Sequence, residues 1–347
     1  MKRVIFICSC LALLLSACSE RISSDSLDDL RVYISATVEE AVRTRTPYVP
    51  SDDADNVADS PNDEHPLPAA IWASTDIDIF PDDGDPGNID PGNYKVAYHT
   101  SANFESSGDQ LLKDIIYSKD QTFIYFIGLH PQTGWTTVNE GDAASYTFDG
   151  TQDLMYAHKV HGYYSSGASV YPTLTFSHLL TWLKFEIKAE NQDVSEIWGK
   201  IKDIKIRSKQ TVQIDFYGST EDGPWRDYIS FTGEETTLPL YITDTDTQFP
   251  SQPHEIPYLG AEEIAYVMCA PTVASAQETD YYLEIETEYR TASVPVNLRL
   301  AADQYFSEST MGKQFTILLT FKAGNNISVA ATVTDWKTGG VSSGIIG

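Results

Sequence analysis

A chain of 347 residues with 50 acidic and 23 basic side chains carries a formal charge of −27, which argues against nucleic acid as a partner and against docking on anionic lipid headgroups. With 20 tyrosines, 21 glycines and 17 prolines, and almost no helical periodicity over windows of about eleven residues, the composition favours many short strands joined by turns. The length suits two domains better than one.

Lys2 and Arg3 precede an apolar run from Val4 to Leu15, and the segment closes on Leu15-Ser16-Ala17-Cys18. The run is about a dozen residues, whereas a helix that crosses a bilayer needs roughly 20, so residues 1–17 read as a cleaved secretory signal. Small residues followed by cysteine resemble the bacterial lipobox. Cleavage between Ala17 and Cys18 then leaves Cys18 with a diacylglycerol and an acylated amino terminus, a firm anchor that needs no spanning helix. Loss of Lys2 and Arg3 takes the charge of −27 down by two, to −29. Cys8 and Cys10 depart with the signal, so Cys269 has no disulfide partner. Its apolar surroundings, Ile264 to Ala270, mark it as a small buried hydrophobe rather than a reactive thiol.

Residues 18–30 are small and polar, as a flexible tether requires. Arg31-Val32-Tyr33-Ile34-Ser35-Ala36-Thr37-Val38 has the β-branched, near-alternating character of a strand. Glu39 to Glu64 follows as an exposed loop that holds Arg43 and Arg45 and then a run of acids. Short apolar runs recur between turn signals from Ala69 onwards. Leu174 to Ile187 reads as one long apolar element, broken by Glu190-Asn191-Gln192-Asp193. Tyr282, Glu284, Glu286 and Glu288 alternate with Leu283, Ile285, Thr287 and Tyr289, the period of a sheet with one wet face. The expected fold is all-β, with two tandem β-sandwiches at 31–192 and 193–338 and a tail at 339–347.

Four stretches carry a resemblance: the lipobox; Tyr171-Pro172-Thr173-Leu174-Thr175-Phe176-Ser177-His178-Leu179-Leu180; Met268-Cys269-Ala270-Pro271; and Gly312-Lys313-Gln314-Phe315-Thr316-Ile317-Leu318 leading to Ala331-Thr332-Val333-Thr334-Asp335-Trp336. In order and spacing they resemble the fimbrillin family of Bacteroides-type bacteria over nearly the whole mature chain. The resemblance implies transthyretin-like Greek-key sandwiches, export to the outer membrane as a lipoprotein, and assembly with other fimbrial subunits, identical or heterologous, into surface fimbriae that serve adhesion to a host glycan or protein receptor. It also implies donor-strand exchange. An arginine-specific protease cuts after the first strand, here at Arg43 or Arg45. The strand that bears Val32, Tyr33, Ile34, Ala36 and Val38 leaves, and a neighbour's strand fills the groove. Such exchange restores both backbone pairing and apolar burial. Val341, Ile345 and Ile346 make the tail a candidate donor, although its shortness and glycine content also suit a tip, accessory or anchor subunit. The alternative is a non-polymerising surface lipoprotein that binds a glycan or protein.

No Gly-x-Ser-x-Gly elbow, Walker loop or zincin helix occurs, so no enzyme, cofactor or metal is expected. His158 and His161, three apart on a strand, point to opposite faces. His178, among Phe176, Leu179 and Leu180, reads as a hydrogen-bonded core residue. The acidic loop Asp76–Asp90 lacks the spacing of an EF-hand and reads as a solvated turn. Trp135, Tyr163, Tyr164, Trp225 and Tyr228 are aromatics that glycine-rich turns can display to a sugar.

Overall fold

The computed structural model describes residues 30–38, 66–75, 97–104, 110–119, 122–138, 143–165, 168–216, 225–243, 245–272, 279–301, 304–305, 310–324 and 326–334. The first half of the chain forms β1 (Arg31–Val38), β2 (Leu67–Ser74), β3 (Ala97–Phe104), β4 (Gln110–Ile116), β5 (Ile124–His130), β6 (Thr136–Val138), β7 (Ala143–Thr147), β8 (Met155–Ser165), β9 (Ala168–Val170) and β10 (Thr173–His178). There follow β11 (Thr181–Ala189), helix α1 (Gln192–Trp198), β12 (Ile201–Ser208), β13 (Thr211–Asp215), β14 (Ile229–Thr232), β15 (Thr236–Tyr241), β16 (Gln248–Phe249) and β17 (Glu262–Cys269). The last strands are β18 (Tyr281–Thr287), β19 (Thr291–Val296), β20 (Arg299–Ala301), β21 (Gln304–Tyr305), β22 (Gln314–Lys322) and β23 (Asn326–Thr334).

The fold is all-β, and its two large sheets each roll into a transthyretin-like Greek-key sandwich. The first sheet runs β3-β2-β5-β8-β10-β1-β4. It folds between β8 and β10, so that β4-β1-β10 faces β3-β2-β5-β8 across a core of Val32, Ile34, Ile71, Phe104, Leu112, Phe126, Leu174 and Phe176. The second runs β19-β18-β12-β15-β17-β11-β22-β23. Its turn lies between β15 and β17, which meet only at Tyr241↔Tyr266. Alternation dictates these faces: β18 reads BeBiBeB and β22 reads iBiBiBiBi in burial, apolar residues inward. Pro239, a breaker in most strands, sits in β15 opposite Lys205 of β12, where a ladder is needed on one side only.

Two expectations change here. Leu174–Ile187 is two strands in two different sheets, divided at Leu179–Leu180. Both leucines are fully buried, and Leu179 N donates to Leu154 O at 2.8 Å while Leu180 O accepts from Gly312 N at 3.0 Å. A turn buried among core groups has no need of polar residues, so no break shows in the sequence. The break at Glu190–Asp193 is instead the start of α1, capped by Asn191, whose side chain accepts from Val194 N. The change of sheet therefore falls at Leu179–Leu180 rather than near 192.

A third sheet, β14-β13-β7-β6, stitches the halves together. β7 pairs with β13 from Thr211↔Thr147 to Asp215↔Ala143. Beyond β13, Phe216 packs on Trp72 with ring centroids 6.1 Å apart, and its carbonyl accepts from the buried Lys159 Nζ at 3.2 Å. At the same joint, His178 Nδ1 lies 2.9 Å from Asp153 Oδ1. His130 Nδ1 lies 2.7 Å from Pro68 O, and burial pulls the pKa of His130 below its usual 6.5 against the opposing pull of Asp153. Cys269 is buried, and burial pushes its thiol up.

Candidate functional site

The first described strand is the best-defined candidate, because its inward side chains are buried as deeply as the core. β1 alternates eBiBiBiB: Val32 and Ile34 are 0% exposed, and Ala36 and Val38 are 8% and 6% exposed. Each fully buried valine or isoleucine contributes about 1.5–3 kcal/mol relative to exposure. The inward side chains lie in the same apolar core as Leu112 and Ile115 of β4 and Leu174 and Phe176 of β10. Phe176 takes the space that a side chain at Gly128 would fill: a Cβ there would stand 2.5 Å from its Cζ.

Among the described residues two neighbours hold β1, each along one half. β4 pairs antiparallel with Arg31, Val32, Tyr33 and Ile34, opposite Ile116, Leu112, Leu111 and Gln110, with a register shift after Arg31. β10 pairs parallel with the other half, from Ser35↔Thr173 to Val38↔Phe176. Ser35 N donates to Pro172 O at 3.1 Å, and Leu30 O accepts from Tyr117 N at 2.8 Å. On the outer face a polar and aromatic ladder runs beside the joint between β1 and β10. Tyr33 meets Tyr171 edge-on at 5.2 Å, Ser35 Oγ lies 2.8 Å from Thr173 Oγ1, and Thr37 Oγ1 lies 3.3 Å from Thr175 Oγ1.

The wall that β1 covers is mostly apolar. Tyr117, in the same core, is buried, and burial followed by Tyr171 raises its pKa. Chemically this is a slot for an alternating strand: it offers backbone donors and acceptors from β4 and β10 and pockets for every second side chain. Among the described residues, no three His, Cys, Asp or Glu side chains converge as a metal site.

Of the residues singled out from the sequence, Val32, Tyr33, Ile34, Ala36 and Val38 come together on β1, with Tyr33 on the outer face. Ala17, Cys18, Arg43, Arg45, Val341, Ile345, Ile346 and the loop Asp76–Asp90 lie outside the described residues. Among the aromatics, Tyr164 is buried in the first core, a correction to its proposed display. Trp135 packs on Tyr146 at 5.0 Å and donates Nε1 to Pro131 O at 2.9 Å. Sequence reasoning missed β4, one wall of the slot. Its apolar residues come in doublets, Leu111-Leu112 and Ile115-Ile116, around Lys113-Asp114, so no period of two is present to find.

A search of curated proteins finds no match. Among solved structures, the chain is similar to a fimbrial protein from Bacteroides vulgatus, at 13% identity over 88% of this chain and 100% of that one, with a TM-score of 0.47. It is also similar to the fimbrial anchor protein Mfa2 from Porphyromonas gingivalis, at 10% identity over 90% of this chain and 99% of that one, with a TM-score of 0.43. The family model described as fimbrillin-like matches residues 69–336, more than half of the chain and both sandwiches from β2 onward, and the chain therefore belongs to the fimbrillin-like family.

Proposed function

We propose that the protein is a structural and adhesive subunit of cell-surface fimbriae, anchored by lipid at Cys18 and assembled with other fimbrial subunits by donor-strand exchange. Family membership supports the fimbrial role. The observation that carries the exchange mechanism is the placement of β1: the first described strand, whose alternate side chains are core residues, while among the described residues each half is paired along one edge. Cleavage at Arg43 or Arg45 severs β1 from everything that follows. An incoming strand with apolar residues at every second position then regains the same ladder and the same burial. The largely apolar lining of the slot supports a partner-binding role rather than catalysis, since general acid–base or nucleophilic chemistry requires polar groups that converge on a reacting atom.

The test treats the soluble chain from residue 19 with an arginine-specific protease and runs it unboiled on a denaturing gel, with electron microscopy alongside. A ladder of resistant oligomers that collapses on boiling, with loss of residues up to Arg43 or Arg45, is the expected result. A lone monomer band refutes self-assembly and leaves a tip, anchor or stand-alone binding role.

A further inference from the structure

The outer face of β12, β18 and β19 in the second sandwich carries an open trough of about 370 Å³, within the range of about 300–1,000 Å³ of small-ligand clefts. Alternation builds it. Ile204, Ile206, Leu283, Ile285 and Val294 point into the core, at most 5% exposed, so the residues between them stand together on the wet side. Register then sets those residues in rungs. Asp203 lies opposite Glu286, and Glu286 opposite Thr291. Lys205 lies opposite Glu284, and Glu284 opposite Ser293. At one end Tyr282, 44% exposed, faces Pro295. Arg207 stands on the same step of β12, one residue past the Ile206↔Leu283 pair.

The polar groups of the trough are only partly paired. Lys205 Nζ binds Asp203 Oδ2 at 2.6 Å, and that bond raises the pKa of Lys205, with Glu284 and Glu286 adding to it. Arg207 donates Nε–H at 2.8 Å and a second N–H to the same oxygen, Oε1 of Glu284. Among the described residues, Glu284 Oε2, the Glu286 carboxylate and the hydroxyls of Thr291 and Ser293 have no protein partner. Exposed ion pairs of this kind are weak, so a ligand can take over one arm of either pair while the fold stands. We propose that this trough binds a neutral carbohydrate, with Tyr282 under the apolar face of a sugar ring and the carboxylates, Lys205 and Arg207 bonded to its hydroxyls. The inference rests on the adhesive role proposed above and gives that role a location.

Charge decides the class of occupant. Asp203, Glu284 and Glu286 against Lys205 and Arg207 leave the trough near balance, on a chain at −27. The chain as a whole repels a polyanion, and a polycation meets Asp203 and Glu284 already paired with cations. A sugar hydroxyl both donates and accepts. A ring of such hydroxyls therefore matches a surface whose donors and acceptors alternate about 4.8 Å apart across strands and about 6.8 Å apart along them. The Tyr282 ring, with Pro295 beside it, supplies the flat apolar patch that the C–H face of a pyranose covers, and its phenol a further polar contact. An open site of this size holds one saccharide weakly, with a Kd on the order of millimolar. A filament repeats the site in every subunit, and multivalent attachment strengthens the hold by about 10²–10⁴. All three strands belong to the second sandwich, so departure of β1 leaves the trough intact.

The test uses the unprocessed soluble chain from residue 19 beside two variants, Tyr282→Ala and Glu286→Ala, each checked for an unchanged melting temperature. All three are applied to an array of neutral and sulfated oligosaccharides, and the strongest neutral ligand is then titrated by NMR. The parent is expected to bind at least one neutral oligosaccharide, and each variant to bind it about tenfold more weakly. An array on which no neutral oligosaccharide is retained overturns the inference, as does retention of sulfated ones alone. Undiminished binding by both variants also overturns it, because the sugar then sits elsewhere on the chain. Adhesion itself is read separately, from beads coated with the parent or with Tyr282→Ala and applied to cultured host cells. Beads that attach equally well keep the adhesive role and remove this site from it, whereas beads that fail to attach with either chain sink the adhesive role. The gel ladder after proteolysis reads strand exchange independently of both.

Discussion

Both sandwiches open on a strand that runs parallel to a late strand of its own unit, and the two first strands are equally buried. Val32 and Ile34 of β1 match Leu183 and Phe185 of β11 at 0% exposure. Their backbones are held differently. β11 pairs with β17 from Thr181 to Ile187 and with β22 from Trp182 to Ala189, so most of its residues lie between two ladders. Among the described residues, β1 pairs with β4 over Arg31–Ile34 and with β10 over Ser35–Val38, and no residue of β1 has a described ladder on both sides. Burial sets how much a strand is worth to the fold, whereas pairing sets how it can leave. A strand gripped along one edge at a time can detach in two short steps, while one gripped on both edges must give up its whole sheet.

That contrast can be broken in order of size. Phe185→Ala in β11 is expected to cost about 3–5 kcal/mol and to lower the midpoint of global unfolding in denaturant, because sheet and core go together. Ile34→Ala in β1 is expected to cost about 2–4 kcal/mol, with the loss confined in hydrogen exchange to β1, β4 and β10. Equal loss of protection in β17 and β22 contradicts the idea of a separately removable strand. Gly128→Ala drives a methyl group against Phe176 and is expected to cost about 1–3 kcal/mol, again confined to the first sandwich, with faster proteolytic release of β1.

Acid sharpens the same contrast. His130 is held neutral by burial, its pKa below the ordinary 6.5, so the unfolded chain binds the proton first as pH falls. Stability is unaffected above pH 6.5 and falls below it by roughly 1.4 kcal/mol per pH unit, until His130 protonates in the folded state too. His130→Gln should flatten that slope in melting curves taken between pH 7 and 5. Smallest of all, Ser35→Ala removes an exposed contact with Thr173 and is expected to cost under about 1 kcal/mol, near the limit of a melting assay.

How much of this was legible in the sequence follows from where each segment is wetted. β1, β18 and β22 have one face on the core and one toward solvent, so their alternation is printed in the residues. The passage from β10 to β11 is wetted on neither side of its turn, and Leu179-Leu180 looks like more strand. α1 left its marks, Asn191 as cap, Asp193 in the first turn and Gly199 at the close, but at seven residues it is too short to show a helical period. The pairing of β7 with β13, from Thr211↔Thr147 to Asp215↔Ala143, joins segments about 70 residues apart, and no local pattern specifies a partner at that range. For the slot itself, β1 and β10 were readable and β4 was not, since its register shift suits apolar doublets rather than alternation.

The stitch between β7 and β13 has a mechanical consequence. The chain passes from one sandwich to the other through two buried leucines with no slack, and beside them two strands, one from each half, lie antiparallel in register from Thr211 to Asp215. A pull that draws the sandwiches apart along those strands loads their cross-strand bonds sideways and together, as glue in a lap joint is loaded, instead of peeling them one after another. Tension along the chain then meets a stiff coupling at its middle, and the weaker place to yield lies out at β1.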